Sequence, residues 1–221
     1  MKYTETTYPI KWSYTGRHED VIVGVFHFIS AINMPGFHDK PFNIQEILRM
    51  FKEGVEWGGK THHFSAHRLI NRNGDRYNLV ALRDRAWHVG DSYTDFGKYR
   101  TSVNNFSNGY ELVATENSGY TEEQYESLAE AVLQDNERLM NQHLGKMIHF
   151  VGHDWVAGQT AYKLGLRKDI KKDPGKLFDW DRFHDEYICQ YSQMHFIPKP
   201  TPPVKPKRRS FMEFFRRFRF K

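Results

Sequence analysis

One cysteine, Cys189, in 221 residues excludes an internal disulfide and any zinc site built on several thiolates. Long apolar runs are missing as well, and none approaches the roughly 20 residues that a bilayer-spanning helix needs. The first residues, Met1-Lys2-Tyr3-Thr4-Glu5, lead into polar and aromatic sequence without the apolar centre of a secretory leader. Synthesis in the cytoplasm without an export signal is therefore expected. A net positive charge is also missing from most of the chain. The net charge is +5, but residues 204–221 carry eight Lys or Arg against Glu213 alone, so the remainder stands at −2. No nucleic-acid partner is expected of such a body, and a monomer is.

What is present is a globular composition, with 39% hydrophobic and 15% aromatic residues, enough for one substantial core. There are also twelve histidines, so a bound metal would sit on His, Asp or Glu.

The apolar, β-branched run Val21–Ile29 predicts a buried strand. Residues 42–57, with Phe42, Ile44, Ile47, Leu48, Phe51 and Val55, predict a helix with one apolar face. Ala66 to Leu82 predicts a hairpin around Asn73-Gly74, and Tyr110 to Ala114 a short strand. Thr121-Glu122-Glu123-Gln124 is a capping box, opening a helix whose apolar face runs through Tyr125, Leu128, Val132 and Leu139. Met147 to Val151 predicts a strand, and Asp179 to Tyr191 a last helix. Strands and helices alternate without a repeat. The expectation is an α/β fold, a mixed central sheet flanked by helices.

Three side chains invite metal chemistry: His27 inside an apolar strand, His153 after a strand-end glycine, and Asp173 in Lys172-Asp173-Pro174-Gly175, a turn sequence. Two imidazoles and a carboxylate form a usual catalytic zinc set that leaves a position for water. Spacing alone leaves this open, because a strand histidine is more often packed than liganding and Asp-Pro-Gly is mostly a turn.

The motifs around these residues resemble, in order, those of the zinc-dependent N-acetylmuramoyl-L-alanine amidases related to phage lysozyme-type amidases and peptidoglycan-recognition proteins. They are Val25-Phe26-His27-Phe28-Ile29-Ser30, Ser65-Ala66-His67-Arg68-Leu69-Ile70, Ala86-Trp87-His88-Val89-Gly90 and Asn104 to Leu112 with its Ser-x-Gly-x-Glu core. Thr121 to Tyr125, Gly152-His153-Asp154 and Lys171 to Trp180 complete the series. The nearest flavour is that of bacterial cytosolic amidases that recycle cell-wall fragments. Asn108 and Tyr110 depart from the family's usual isoleucine or valine, and residues 154–170 are long and basic.

The resemblance implies a peptidoglycan-recognition-protein-like fold, a zinc ion on His27, His153 and Asp173, and peptidoglycan as substrate. It implies Glu111 as general base and Lys171 as oxyanion-stabilising cation. In an extended segment Lys171 and Asp173 project to the same face. It further implies His67, Trp87, His88 and Asn105 as substrate-binding residues. For His67, Trp87 and His88 a buried polar cluster supporting the sheet is the competing reading.

The catalytic domain is expected over residues 1–196, a proline-rich basic linker over 197–209 and a basic amphipathic helix over 210–221. Ser210-Phe211-Met212-Glu213 is a capping box, and Phe211, Phe214, Phe215 and Phe218 form one aromatic stripe. Such a helix suits an anionic membrane or lipopolysaccharide. That tail favours a phage-type endolysin acting at the bacterial wall, in the periplasm. Cytosolic recycling of soluble muropeptides, or a non-catalytic recognition module, is the alternative.

Overall fold

Val21–Phe28 forms the innermost long strand of a six-stranded sheet, and seven of its eight residues are buried. The structure is a computed structural model that describes residues 2–29, 42–96 and 101–194. In chain order the strands are β1 (Glu5–Thr7), β2 (Ser13–Tyr14), β3 (Val21–Phe28), β4 (Val55–Trp57), β5 (Lys60–His62), β6 (Arg68–Ile70), β7 (Arg76–Asn78), β8 (Arg85–Ala86), β9 (Ser107–Leu112) and β10 (Gly145–Gly152). The helices are α1 (Ile44–Glu53), α2 (Glu122–Asn141), α3 (His153–Val156), α4 (Gln159–Lys163) and α5 (Trp180–Met194).

The large sheet runs β1-β7-β6-β9-β3-β10. Only β6 and β7 pair antiparallel, as the hairpin around Asn73-Gly74; every other neighbour is parallel. The sheet is therefore mixed, as expected. Helices α2 and α5 cover one face, where Phe26, Tyr110 and Leu112 pack with Leu128, Val132, Leu139 and Phe183. Helix α1 covers part of the other face, placing Ile47, Leu48 and Phe51 against Leu69 and Val113. Gly74 sits at φ +83°, and a Cβ there would strike the Tyr3 ring, so the turn needs glycine.

The capping box is present. Thr121 Oγ1 accepts from Gln124 N, and the Gln124 side chain accepts from Thr121 N. The four expected apolar positions of α2 are all buried. Inside the sheet–α2 layer, Arg68 makes a two-pronged ion pair with Asp135, which also accepts from Tyr110 Oη at 3.0 Å.

The helix expected over 42–57 is shorter. Asn43 caps it, and Gly54 at φ +87° ends it. Val55–Trp57 then pairs with Lys60–His62 as a hairpin instead of continuing the helix. Strand β9 starts three residues before the expected position. Helix α5 runs to Met194, and no described helix is long and apolar enough to cross a membrane. The linker over 197–209 and the amphipathic helix over 210–221 lie outside the described residues.

Candidate metal centre

Sheet register assembles the centre. Alternation along β3 sends Phe26 toward α2 and α5, and sends Val23, Val25 and His27 to the opposite face. His27 pairs with Glu111 of β9 on one side. On the other side β10 pairs Val151 with Val25 and Gly152 with Phe26, so the next residue, His153, arrives beside His27. Glu111, His27 and His153 thus form a row across three parallel strands, with His153 as the first residue of α3.

Asp173 comes from a loop that several bonds pin. Its carbonyl accepts from Asp154 N at 2.8 Å, Lys171 N donates to Ala157 O at 3.1 Å, and Tyr120 Oη donates to Pro174 O at 2.7 Å. The three candidate ligand atoms form a near-equilateral triangle. His27 Nδ1 and His153 Nδ1 are 3.1 Å apart, and Asp173 Oδ2 is 3.1 Å from the first and 3.0 Å from the second. All three residues are buried. A tetrahedral zinc site with bonds of about 2.0–2.1 Å has edges of roughly 3.3 Å, so this donor set fits the ion in type and in spacing. Burial alone would push the Asp173 carboxyl up. The His153 and His27 imidazoles outweigh it and hold the group well below the usual carboxylate range.

The triangle opens on a cavity of about 530 Å³ whose lining includes Glu111, Lys171, Trp87, His88, Asn104 and Arg167. Burial pushes the Glu111 carboxyl up to about 7; the Asp173 charge adds to this, while His27 and Lys171 oppose it. Lys171 reaches the rim and pairs with Asp169 at 3.2 Å. The Trp87 indole N–H is buried without a partner among the described residues.

His67 and Asn105, expected at the substrate groove, are not among the cavity's lining residues. His67 lies fully buried, its ring 6.0 Å from that of His88. Its Nδ1 accepts from Gly109 N at 3.0 Å, and its Nε2 lies 2.5 Å from Arg17 Nη2 and 3.1 Å from Asp84 O. Burial, with the Arg17 charge beside it, holds that imidazole well below its ordinary value. It supports the sheet, the competing reading of the sequence. Asn105 turns away to Glu19 and Arg85. Its neighbour Asn104 faces the cavity and accepts from His88 N at 3.2 Å and Val89 N at 3.1 Å. A one-residue offset in the helical turn Val103–Asn105 separates the two, and sequence carries no signal for it. Arg167 was also missed. It comes from the long basic segment 154–170 and donates to Val89 O and Asp91 O at 3.3 and 3.1 Å.

A mixed sheet carrying a buried His-His-Asp triangle in a cleft, with a carboxylate and an ammonium beside it, is a candidate hydrolase-type metal centre. The chain belongs to the N-acetylmuramoyl-L-alanine amidase family, whose model matches residues 35–176. The match begins after His27 and includes Glu111, His153, Lys171 and Asp173. The 1,6-anhydro-N-acetylmuramyl-L-alanine amidase AmpD of Enterobacter cloacae is 37% identical over 120 residues, 54% of this chain and 55% of that protein. AmpD of Escherichia coli K12 is 35% identical over 119 residues, 54% and 56% of the two chains. The chain therefore spans about half the length of the curated relatives it matches. A crystal structure of AmpD, as its selenomethionine derivative, superposes with a TM-score of 0.62 at 26% identity, covering 84% of this chain and 94% of that one.

Proposed function

We propose that this protein hydrolyses the amide bond between N-acetylmuramic acid and L-alanine with a zinc ion held by His27, His153 and Asp173, and that its substrates are soluble muropeptides. The observation that carries the reading is the Nδ1–Nδ1–Oδ2 triangle opening on a cleft that also receives Glu111 and Lys171. A bound zinc would acidify a water and polarise the amide carbonyl.

The chain's own groups supply the rest. Glu111 shares the sheet face of His27 on the adjacent strand, where a carboxylate takes a proton from the attacking water and returns it to the leaving amine. The Lys171 ammonium at the rim stabilises the charge that develops on the carbonyl oxygen. Trp87 offers an unpartnered indole N–H to the sugar or stem peptide. The cavity volume is that of a small-ligand pocket.

One observation supports soluble fragments over the endolysin expectation, whose tail, residues 204–221, lies outside the described residues. The curated relatives that the chain matches are named for a 1,6-anhydro sugar. An anhydro bridge closes C1 onto C6, so such a sugar is a chain end or a free fragment. Cytoplasmic action on released fragments follows from this reading.

The test is to incubate the full chain with an anhydromuramyl tripeptide and, separately, with intact sacculi, and to identify products by mass spectrometry. Release of free tripeptide, faster from the soluble substrate than stem peptide from sacculi, is the expected result. Equal or faster digestion of sacculi would restore the lysin. Cleaved glycan, or activity that survives a chelator and Asp173→Ala, would overturn the amidase reading.

A further inference from the structure

His88, expected to bind substrate, makes its side-chain contacts behind the metal triangle. His27 offers Nδ1 to that triangle, and its other nitrogen, Nε2, lies 3.1 Å from His88 Nδ1. His88 Nε2 lies 3.1 Å from Ser107 Oγ, and Ser107 Oγ donates to Val103 O at 2.6 Å. A hydroxyl has one proton, and here the carbonyl of Val103 takes it. Ser107 Oγ can then only accept from His88, so His88 carries its proton on Nε2 and presents a lone pair at Nδ1. That lone pair accepts from His27 Nε2–H, so a neutral His27 carries its proton away from the triangle and keeps Nδ1 free to ligate.

The same segment serves the second histidine. His153 Nε2 lies 3.3 Å from Val89 O, an acceptor that puts the proton on Nε2 and frees Nδ1. Asn104 Oδ1 fixes the segment by accepting from both His88 N and Val89 N. Gly109 makes room for it, since a Cβ there would stand 2.6 Å from His88 Cγ and Nδ1.

We infer that His88 and Ser107 are positioning residues for the metal site: a two-member relay from Val103 O to His27 Nε2 that sets the ligand's tautomer, with Val89 O doing the same for His153. This rests on reading His27, His153 and Asp173 as the metal site. The relay assigns structural work to three residues of the motif segments, Ser107, Gly109 and His88, that otherwise have none in the reaction.

The experiment measures Co2+ binding by the chelator-stripped full chain from its visible absorption, alongside imidazole 15N shifts that report tautomers. His88→Leu and Ser107→Ala are expected to weaken binding about 10–100-fold. Ser107→Thr and His88→Gln, which keep an acceptor, are expected to recover most of it. In the stripped wild-type chain His88 is expected as the Nε2–H tautomer; His27, whose Nδ1 then faces Asp173 Oδ2 at 3.1 Å, is expected as Nε2–H once Co2+ is bound. Unchanged Co2+ affinity in His88→Leu and Ser107→Ala, or an Nδ1–H tautomer at His88, would overturn the relay. Wild-type chain that binds no Co2+, with Asp173→Ala indistinguishable from it, would overturn the metal site itself. Because the His88 tautomer is read without metal, the two failures are separable. A merely structural role would lower thermal stability in all four variants without the split between Ser107→Ala and Ser107→Thr.

Discussion

At the scale of single residues, Glu111 and Lys171 flank the triangle without belonging to it. Glu111→Gln should therefore leave zinc content near one ion per chain while lowering kcat about 10²–10⁴-fold, the range for loss of a general base. Elemental analysis and steady-state kinetics on the anhydromuramyl tripeptide check both halves. Lys171→Ala should cost roughly 10²–10³-fold in kcat with a smaller change in KM, because the developing charge exists only in the transition state. An equal rise in KM with kcat unchanged would make Lys171 a binding residue. His67 and Asn105 show the limit of motif matching at this scale. Both fall in motif segments, yet one is buried against Gly109 and Arg17 and the other turns to Glu19.

Among elements, α2 and the sheet face beneath it carry the clearest energetic expectations. Asp135 neutralises Arg68 inside the layer and accepts from Tyr110. Asp135→Ala strands a buried guanidinium and should destabilise the fold by about 3–5 kcal/mol in urea titration. Thr121→Ala removes the cap of α2 and should cost about 1 kcal/mol in the same assay. The two departures from the family's apolar pattern have partners here. Tyr110 reaches Asp135, and Asn108 Oδ1 accepts from Arg17 Nη2 at 2.7 Å. Long elements with a cap or an apolar period were legible in sequence: β3, α2 and α5. The pieces of two to five residues, β1, β2, β8, α3, α4 and the β4–β5 hairpin, were not, because so few residues carry no period and depend on tertiary partners.

For the whole molecule, zinc should act as a folding ligand. At a concentration 100 times its Kd it should add about 2.7 kcal/mol of stability, seen as a rise in Tm that Asp173→Ala abolishes. Deleting residues 198–221 should leave hydrolysis of the soluble tripeptide unchanged, since the triangle and the cavity's described lining belong to the body. A loss of that activity would give the tail a part in the reaction.

By itself the amino-acid order determined the α/β alternation, the capping of α2, the tight turn at Asn73-Gly74 and the candidate ligands His27, His153 and Asp173. Those are local properties, set by period, turn chemistry and residue type. Only the tertiary structure decided that the three ligand atoms meet within about 3 Å of one another. Their separation depends on the parallel register of β9, β3 and β10 and on a pinned loop, contacts between residues far apart in the chain. It also decided that His88, at the cavity wall, sets its ring nitrogens against His27 and Ser107, a matter of which nitrogen faces which neighbour.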